Sequence, residues 1–502
     1  MALLGDETLP EGATLDFERL LASGGDERIA IDPRTGRNRY GTPRGLAQGE
    51  IWFSSSTATA ISARGYDAAR KAYLFAVRPG RAGIPGWLDQ TRARLSELFG
   101  IPGTEVILSG SGTELELIAL FLARNALHGP LTNVVVAPGE TGRGVLLAAS
   151  GRHFLGSSPF GEPGEYGSWV EGFETSQSST ETIEIRDEAG GLKSSESVDA
   201  EIVRKVEAGI AHGRCALVHL LDCSKTGRGG PRRSTASALL ERYPGQVLVV
   251  VDSCQLRCSP EQIRADLRAG FMVMITGSKF AAGPPFAGAL LLPPVIMSQL
   301  ATLDLPPGLL AYASAEDWPA ALRSKISRPF AATENVGAGL RWEAALAELE
   351  ALFALPVQFR ESVVTAFGDA VERHVREQDD LELIDPGLAD VLQPKPTIFP
   401  IVTAARSGAL PACDAIYRAL RLPLPGDPAA ETSKRVFHVG QPVPVGPRNA
   451  LRVCLSASQI VDVAENARKG HAFKTAIAPL MADLDHLFLK WSRVADQLCS
   501  PA

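Results

Sequence analysis

Short, unbroken apolar runs recur through the first two thirds of the chain. They are "TEVILS" (104–109), "NVVVA" (133–137), "CALVHLL" (215–221), "VLVVVD" (247–252), "FMVMIT" (271–276) and "AGALLLP" (287–293). A run of this length with no polar alternation fits a strand buried on both faces, as in a parallel sheet covered by helices. Segments with helical periodicity fall between them, at 113–127, 234–243 and 260–269. The alternation predicts an α/β fold built on a largely parallel sheet.

The texture differs on either side of this region. Residues 1–65 are irregular, rich in Gly, Asp and Arg, and end in the polar run "FSSSTATAIS". Residues 156–198 are turn-rich and read as an excursion between strands. Beyond residue 330 a longer helix is predicted over "VGAGLRWEAALAELEALFAL" (336–355), followed by short strands and the Pro-rich "LPLPGDPAAETSKRVFHVGQPVPVGP". The expected organisation is an N-terminal segment (1–65), a large domain (66–330) and a small C-terminal α+β domain (331–502).

Composition narrows the class. The 502 residues are 45% hydrophobic and 21% charged, as in ordinary globular enzymes. A net charge of −7, with no Lys/Arg cluster interleaved with aromatics, argues against nucleic acid as a partner. Neither a secretory leader nor an apolar stretch long enough to span a membrane is recognisable, so no membrane is expected. Seven cysteines do not form a disulfide framework, and Cys254 and Cys258 lack a second zinc-type pair. Reduced thiols, a cytoplasmic location and no metal are the expectation.

In open α/β sheets, ligands bind beyond the carboxyl ends of the strands, so the residues just after each run carry the chemistry. "EVILS" is followed by "GSGTE" and a helix. There Gly112 and Thr113 with the free helix N–H groups could cradle an anion, although a simple helix cap would use the same residues. A dinucleotide fingerprint fails, because its third glycine would fall at Leu115. "VLVVV" leads to Asp252, and a carboxylate at the end of a buried strand needs a cationic partner or a capping role. "FMVMI" leads to "TGSK", where Thr276 and Ser278 precede Lys279. The 27 residues from Asp252 to Lys279 leave room for one helix and one strand, which places both at the same sheet edge. Anion donors, an acid to pair with a protonated ring nitrogen and a Schiff-base lysine are what pyridoxal phosphate requires of a protein.

The stretch 247–293, with "VDSCQ", "TGSK" and "GPPFAGALLL", resembles the fold-type-I pyridoxal-phosphate enzymes, in particular the class V aminotransferase and cysteine desulfurase group. The resemblance implies a mainly parallel, seven-stranded large-domain sheet. It implies that Lys279 carries the cofactor, that Asp252 pairs with the pyridine nitrogen and that Gln255 meets the phenolic oxygen. Gly112, Thr113, Thr276 and Ser278 would hold the phosphate. Ser224, in "DCSKTG", would lie near the ring, and Thr333, in "RPFAATENVG", would reach the neighbouring subunit's site in a homodimer. Arg452, in "ALRVCLSAS", would bind the substrate α-carboxylate, while His438 and Gln441, in the stretch before it, could face the substrate or equally well serve the structure.

Two departures from that family stand out. Thr141 or Gly142 falls where the family stacks a histidine or large aromatic on the ring. The stretch before Arg452 also lacks the nucleophilic cysteine of desulfurases, which disfavours persulfide chemistry. The implied activity is on an α-amino acid, with Lys279 taking the Cα proton and transamination as the nominal outcome. β- or γ-elimination or replacement, decarboxylation and carbon–carbon bond formation are the alternatives, and a non-catalytic relative is a third. In the N-terminal segment, Ser54, Ser55, Ser56 and Arg64 are the first positions to probe for a pocket role.

Overall fold

The computed structural model describes residues 11–76, 83–161, 164–174, 178–330, 332, 334–384, 395–403, 413–424 and 431–499. Its twelve strands are β1 (Glu50–Phe53), β2 (Glu105–Ser109), β3 (Leu131–Val136), β4 (Ser178–Ile183), β5 (Cys215–Leu221), β6 (Val247–Ser253), β7 (Met272–Thr276), β8 (Gly288–Leu292), β9 (Leu381–Leu383), β10 (Ile398–Thr403), β11 (Val436–Val445) and β12 (Arg448–Cys454).

Seven of them form the main sheet, in the order β2-β8-β7-β6-β5-β3-β4. β8 runs antiparallel to both neighbours and every other pair is parallel. The unbroken apolar runs reflect burial on both faces. Val247, Val249 and Val251 of β6 enter one layer of core, and Leu248 and Val250 enter the other. Helices Gly112–Ala126, Arg233–Arg242 and Pro260–Arg268 sit where periodicity places them, to within a residue or two.

A second, five-stranded sheet has the order β1-β11-β12-β10-β9. It is antiparallel except for β1, which pairs in parallel with β11. The N-terminal segment therefore supplies an edge strand to a sheet otherwise made by the C-terminal residues. Phe53 of β1 joins Phe437, Val453, Leu484, Phe488 and Trp491 in a separate core. Helix Val336–Phe353 connects the two cores, with Leu340, Trp342 and Leu346 in the first and Leu352 in the second.

The turn-rich stretch 156–198 contains β4, a sheet-edge strand on β3. Its sequence, SSTETI, leaves alternate residues exposed. Polar edge strands discourage further pairing, and they give little hydrophobic signal. Among the described residues, no helix is long and apolar enough to cross a membrane, and no group of three His, Cys, Asp or Glu is placed to hold a metal.

Candidate active site

The main sheet's carboxyl edge is where the backbone is most constrained. Four non-glycine residues have positive φ among the described residues: Ala137 (46°), Leu256 (51°), Ala282 (57°) and Phe286 (77°). They follow β3, β6 and β7, around one cavity. Such conformations cost about 1–3 kcal/mol each and persist only where the surroundings impose them, most often at functional sites.

The cavity has a volume of about 410 Å³. It brings together Gly112, Thr113, Thr141, Gly142, Asp252, Gln255, Thr276, Ser278, Lys279, Gln441 and Arg452, all singled out from sequence.

Its floor is the start of helix Gly112–Ala126, capped by Ser111, whose hydroxyl accepts from the Glu114 N–H at 3.3 Å. Glycine at 112 is a packing requirement: a Cβ there would lie 2.7 Å from Cys254 Sγ and 3.3 Å from Thr276 Cγ2. The helix start therefore sits directly on the loops that follow β6 and β7. Arg28 approaches from the N-terminal segment, with Nη2 3.3 Å from Ser111 Oγ. Bonds from Nε and Nη2 to Asp26 hold the guanidinium, which also lies over the Phe286 ring at 4.9 Å.

Beside this cradle, burial, with help from Asp26, pushes the Glu114 carboxyl up to about 7. It accepts from Ser109 Oγ at 3.0 Å, and in its protonated form it does not repel an anion at the helix start. The unfolded chain releases this proton near pH 4.5 and the folded one near 7. The native state thus favours the protonated form, and that stabilisation is complete below the lower value and lost as pH rises through the upper one. Glu114→Gln is expected to gain stability relative to wild type by up to roughly 3 kcal/mol across that window. Denaturant unfolding of both proteins at several pH values checks this, and a pH-independent difference would refute it.

Asp252, at the end of β6, accepts from the Cys254 N–H through Oδ1 at 3.0 Å. Behind it lie Glu116 and His219, with Oε2 and Nδ1 3.3 Å apart. Burial, then Asp252, pushes the Glu116 carboxyl well up, and burial lowers His219 to about 3, so the imidazole is neutral at pH 7.

Lys279 sits in the turn between β7 and β8. Gly277 lets that turn pack on helix Val336–Phe353, since a Cβ there would be 2.6 Å from Ala345 Cβ. Gly283 N–H closes the turn onto Gly277 O at 2.9 Å. Gln255 Nε2 gives one hydrogen bond to Ser56 O at 3.1 Å and has a second N–H available. Arg452 is fully buried; Nη2 donates to Gln441 O at 2.6 Å and to Thr57 Oγ1 at 2.8 Å. Its Nη1 is buried with no hydrogen-bond partner. Burial lowers this guanidinium to about 10, still protonated at pH 7.

Two of the sequence-based candidates lie outside the cavity lining. His438 does not line the cavity. Register pairs it with Trp52, so the two rings stack at 3.6 Å and 1° on the same face of the sheet, and Nε2 meets Glu50 Oε2 at 3.0 Å. Ser224 is buried outside the cavity, and its hydroxyl donates to Glu140 Oε2 at 2.8 Å, while its neighbours Cys223 and Lys225 line the site. Thr333 lies outside the described residues. In the N-terminal segment, Ser56 reaches the cavity, whereas Ser54 and Ser55 bond the carbonyls of Ala58 and Leu455. Arg64 pairs with Glu348 at 2.5 Å.

Sequence reasoning did not single out Arg28, Glu140, Arg143 or Lys225, all of which line the cavity. Lys225 belongs to a stretch already marked for attention, and its own position was the missed signal.

No family model matches this sequence, and no curated protein matches it. Solved structures match the fold. The cysteine desulfurase CsdA (S-sulfonic acid) from Escherichia coli aligns with TM-score 0.54 and 13% identity, over 90% of this chain and 96% of that one. A C-DES mutant with glycine covalently linked to its PLP cofactor aligns with TM-score 0.54 and 12% identity, over 87% and 96%. The cystine C-S lyase C-DES in complex with its product cysteine persulfide aligns with TM-score 0.54 and 11% identity, over 87% and 97%. The chain thus has the fold-type-I architecture of pyridoxal-phosphate enzymes.

Proposed function

We propose that the chain is a pyridoxal-phosphate-dependent enzyme acting on an α-amino acid, with transamination as the first reading. The observation that carries this is the meeting of Lys279, Asp252, Gln255 and the Gly112 helix start in one cavity.

The donor set fits the cofactor at its phosphate, ring nitrogen and phenolic oxygen, although the Thr276 hydroxyl donates to Cys254 O at 2.6 Å instead of facing a phosphate. The helix start, Thr113 and Ser278 offer donors to a phosphate, beside the Arg28 cation and a Glu114 carboxyl that burial pushes up to about 7. Asp252 faces the cavity with a carboxylate for the pyridine nitrogen, and Gln255 has an N–H for the phenolic oxygen. When bound, pyridoxal phosphate supplies an electron sink conjugated to the substrate nitrogen.

The protein's own groups do the rest. Arg452 uses its unpartnered Nη1 edge to bind and orient the α-carboxylate. Asp252 holds a proton at the pyridine nitrogen. Lys279 Nζ takes the proton from the substrate Cα and can return it elsewhere.

The two thiols lining the cavity are poor nucleophiles. Burial, then Asp222, pushes Cys223 up to about 12, and burial with Asp252 pushes Cys254 well up. Both are neutral at pH 7, and only a thiolate attacks sulfur efficiently. Sulfur transfer through a cysteine therefore gains no support from this cavity. The second reading is elimination or replacement at the substrate side chain. It is favoured by Thr141 and Gly142, which stand in the cavity wall where the resembling aminotransferases carry a ring-stacking residue.

The test is a visible absorption spectrum of the protein with pyridoxal phosphate, repeated during titration with a panel of amino acids. A yellow chromophore that bleaches as a ketoacid appears supports transamination. Ammonia release without the aminated cofactor selects elimination. A protein that stays colourless with added cofactor overturns the reading.

A further inference from the structure

The cavity holds more positive charge than its cofactor and an α-carboxylate require. Six cationic side chains line it: Arg28, Arg39, Arg143, Lys225, Lys279 and Arg452. Arg28 is paired with Asp26 at 2.6 Å, and Arg39 lies 3.9 Å from Glu27. The other four have no carboxylate at ion-pairing distance among the described residues.

The two acids of the lining are committed elsewhere. Glu140 pairs with Arg186 at 2.6 Å and accepts from Ser224 and Thr226. Asp252 accepts from the Cys254 N–H and, on the reading above, serves the pyridine nitrogen. With Lys279 assigned to the cofactor and Arg452 to the α-carboxylate, Arg143 and Lys225 are left over.

Lys225 is held in place rather than trailing into solvent. Its N–H donates to Glu140 O at 2.9 Å, and the Ser224–Thr226 turn is bolted to the Glu140 carboxylate. Arg143 follows Thr141 and Gly142 on the loop after β3 and is exposed at the cavity mouth. The two cations thus come from different loops, joined through Glu140.

Resting on the pyridoxal-phosphate reading, we infer that Lys225 and Arg143 form a second anion subsite, and that the substrate is an amino acid with an acidic side chain. The side-chain carboxylate, or a sulfinate or phosphate ester of similar reach, meets the two cations while Arg452 holds the α-carboxylate.

The protonation state of Lys225 agrees with a site awaiting negative charge. Burial, then the repulsion of Arg452, Lys279 and Arg143, lowers its amine to about 7, with Glu140 the one opposing charge. A second carboxylate placed beside it restores the affinity for the proton. Binding of a dicarboxylate near pH 7.5 is then accompanied by proton uptake at Nζ, and binding of a monocarboxylate is not.

The test uses glutarate and succinate, which lack an amine, against butyrate. Binding to the cofactor-loaded protein is measured by calorimetry in two buffers of different ionisation enthalpy. Glutarate or succinate is expected to bind at least tenfold more tightly than butyrate and with proton uptake. Lys225→Met is expected to abolish both the preference and the uptake while leaving the affinity for pyridoxal phosphate unchanged. Arg143→Gln, at an exposed position with little folding risk, is expected to reduce the preference severalfold and carries the test if the lysine variant does not fold.

Equal affinity for butyrate and the dicarboxylates overturns the inference. So does a Lys225 or Arg143 variant that loses affinity for pyridoxal phosphate but keeps the dicarboxylate preference, since the cations then serve the cofactor phosphate. A chain that takes up no pyridoxal phosphate fails the parent reading instead. In that case a dicarboxylate preference in the cofactor-free chain, sensitive to both variants, still supports the second anion subsite.

Discussion

Lys279→Met is expected to abolish turnover, with a loss of at least about 10⁴-fold, the upper end of what removing one general base costs. Methionine has nearly the length and volume of the lysine stem, so the turn closed by Gly277 and Gly283 keeps its packing. The variant is expected to bind pyridoxal phosphate reversibly. Borohydride treatment should fix the cofactor to the wild-type chain at the Lys279 peptide and leave the variant unlabelled. The outcome is not a formality, because Lys225 lines the same cavity and burial, then repulsion from neighbouring cations, lowers its amine to about 7. A label that maps to Lys225, or that persists in Lys279→Met, would overturn the assignment.

Asp252→Asn carries the second large effect. The asparagine oxygen can still accept from the Cys254 N–H, so the loop after β6 keeps its shape. What disappears is the carboxylate proposed to face the ring nitrogen, in a neighbourhood where burial keeps His219 neutral and pushes the Glu116 carboxyl well up. At an effective dielectric near 20, opposite charges about 4 Å apart attract by roughly 4 kcal/mol, about three decades in proton affinity. Exchange of the substrate Cα proton with solvent deuterium is expected to slow by about 10³-fold, while the yellow chromophore is retained. A loss below about tenfold would show that Asp252 is a capping residue of the β6 turn and no more.

The strands β5, β6, β7 and β8 were legible because burial on both faces leaves an unbroken apolar run, and Asp252 and Lys279 stand out against such a background. Arg452 could be found only through family likeness, and its unpartnered Nη1 then gave it a physical rationale. β4 was not legible, because a polar strand at a sheet edge has the composition of a loop. Nor was β1, whose pairing partner lies near the other end of the chain.

His438 and Ser224 are each placed by local geometry. On a strand, one step along the chain reverses the direction of the side chain, and in the turn after β5 the Ser224 hydroxyl is drawn to Glu140. His438 therefore meets Trp52, and the place given to Ser224 belongs to its neighbour Lys225. Sequence located these loops, and only register could say which of their residues look inward. The cations Arg28 and Arg143 illustrate the remaining gap: a surface arginine and a cavity arginine are identical in sequence until tertiary packing separates them.

The pairing of β1 with β11 also has a consequence for how the protein is made. Ser55 Oγ donates to Leu455 O, a contact spanning 400 residues of chain. Arg28 and Ser56, in the wall of the cavity, belong to a segment synthesised before every strand of the main sheet. Closing a loop of that length is entropically costly, and contacts of such separation form late. During synthesis the main sheet can therefore assemble around an open, one-sided site, with its N-terminal wall still unanchored. The wall is locked only when β11 and β12 emerge, so the closed pocket needs the chain through β12 and is not a property of the main sheet alone.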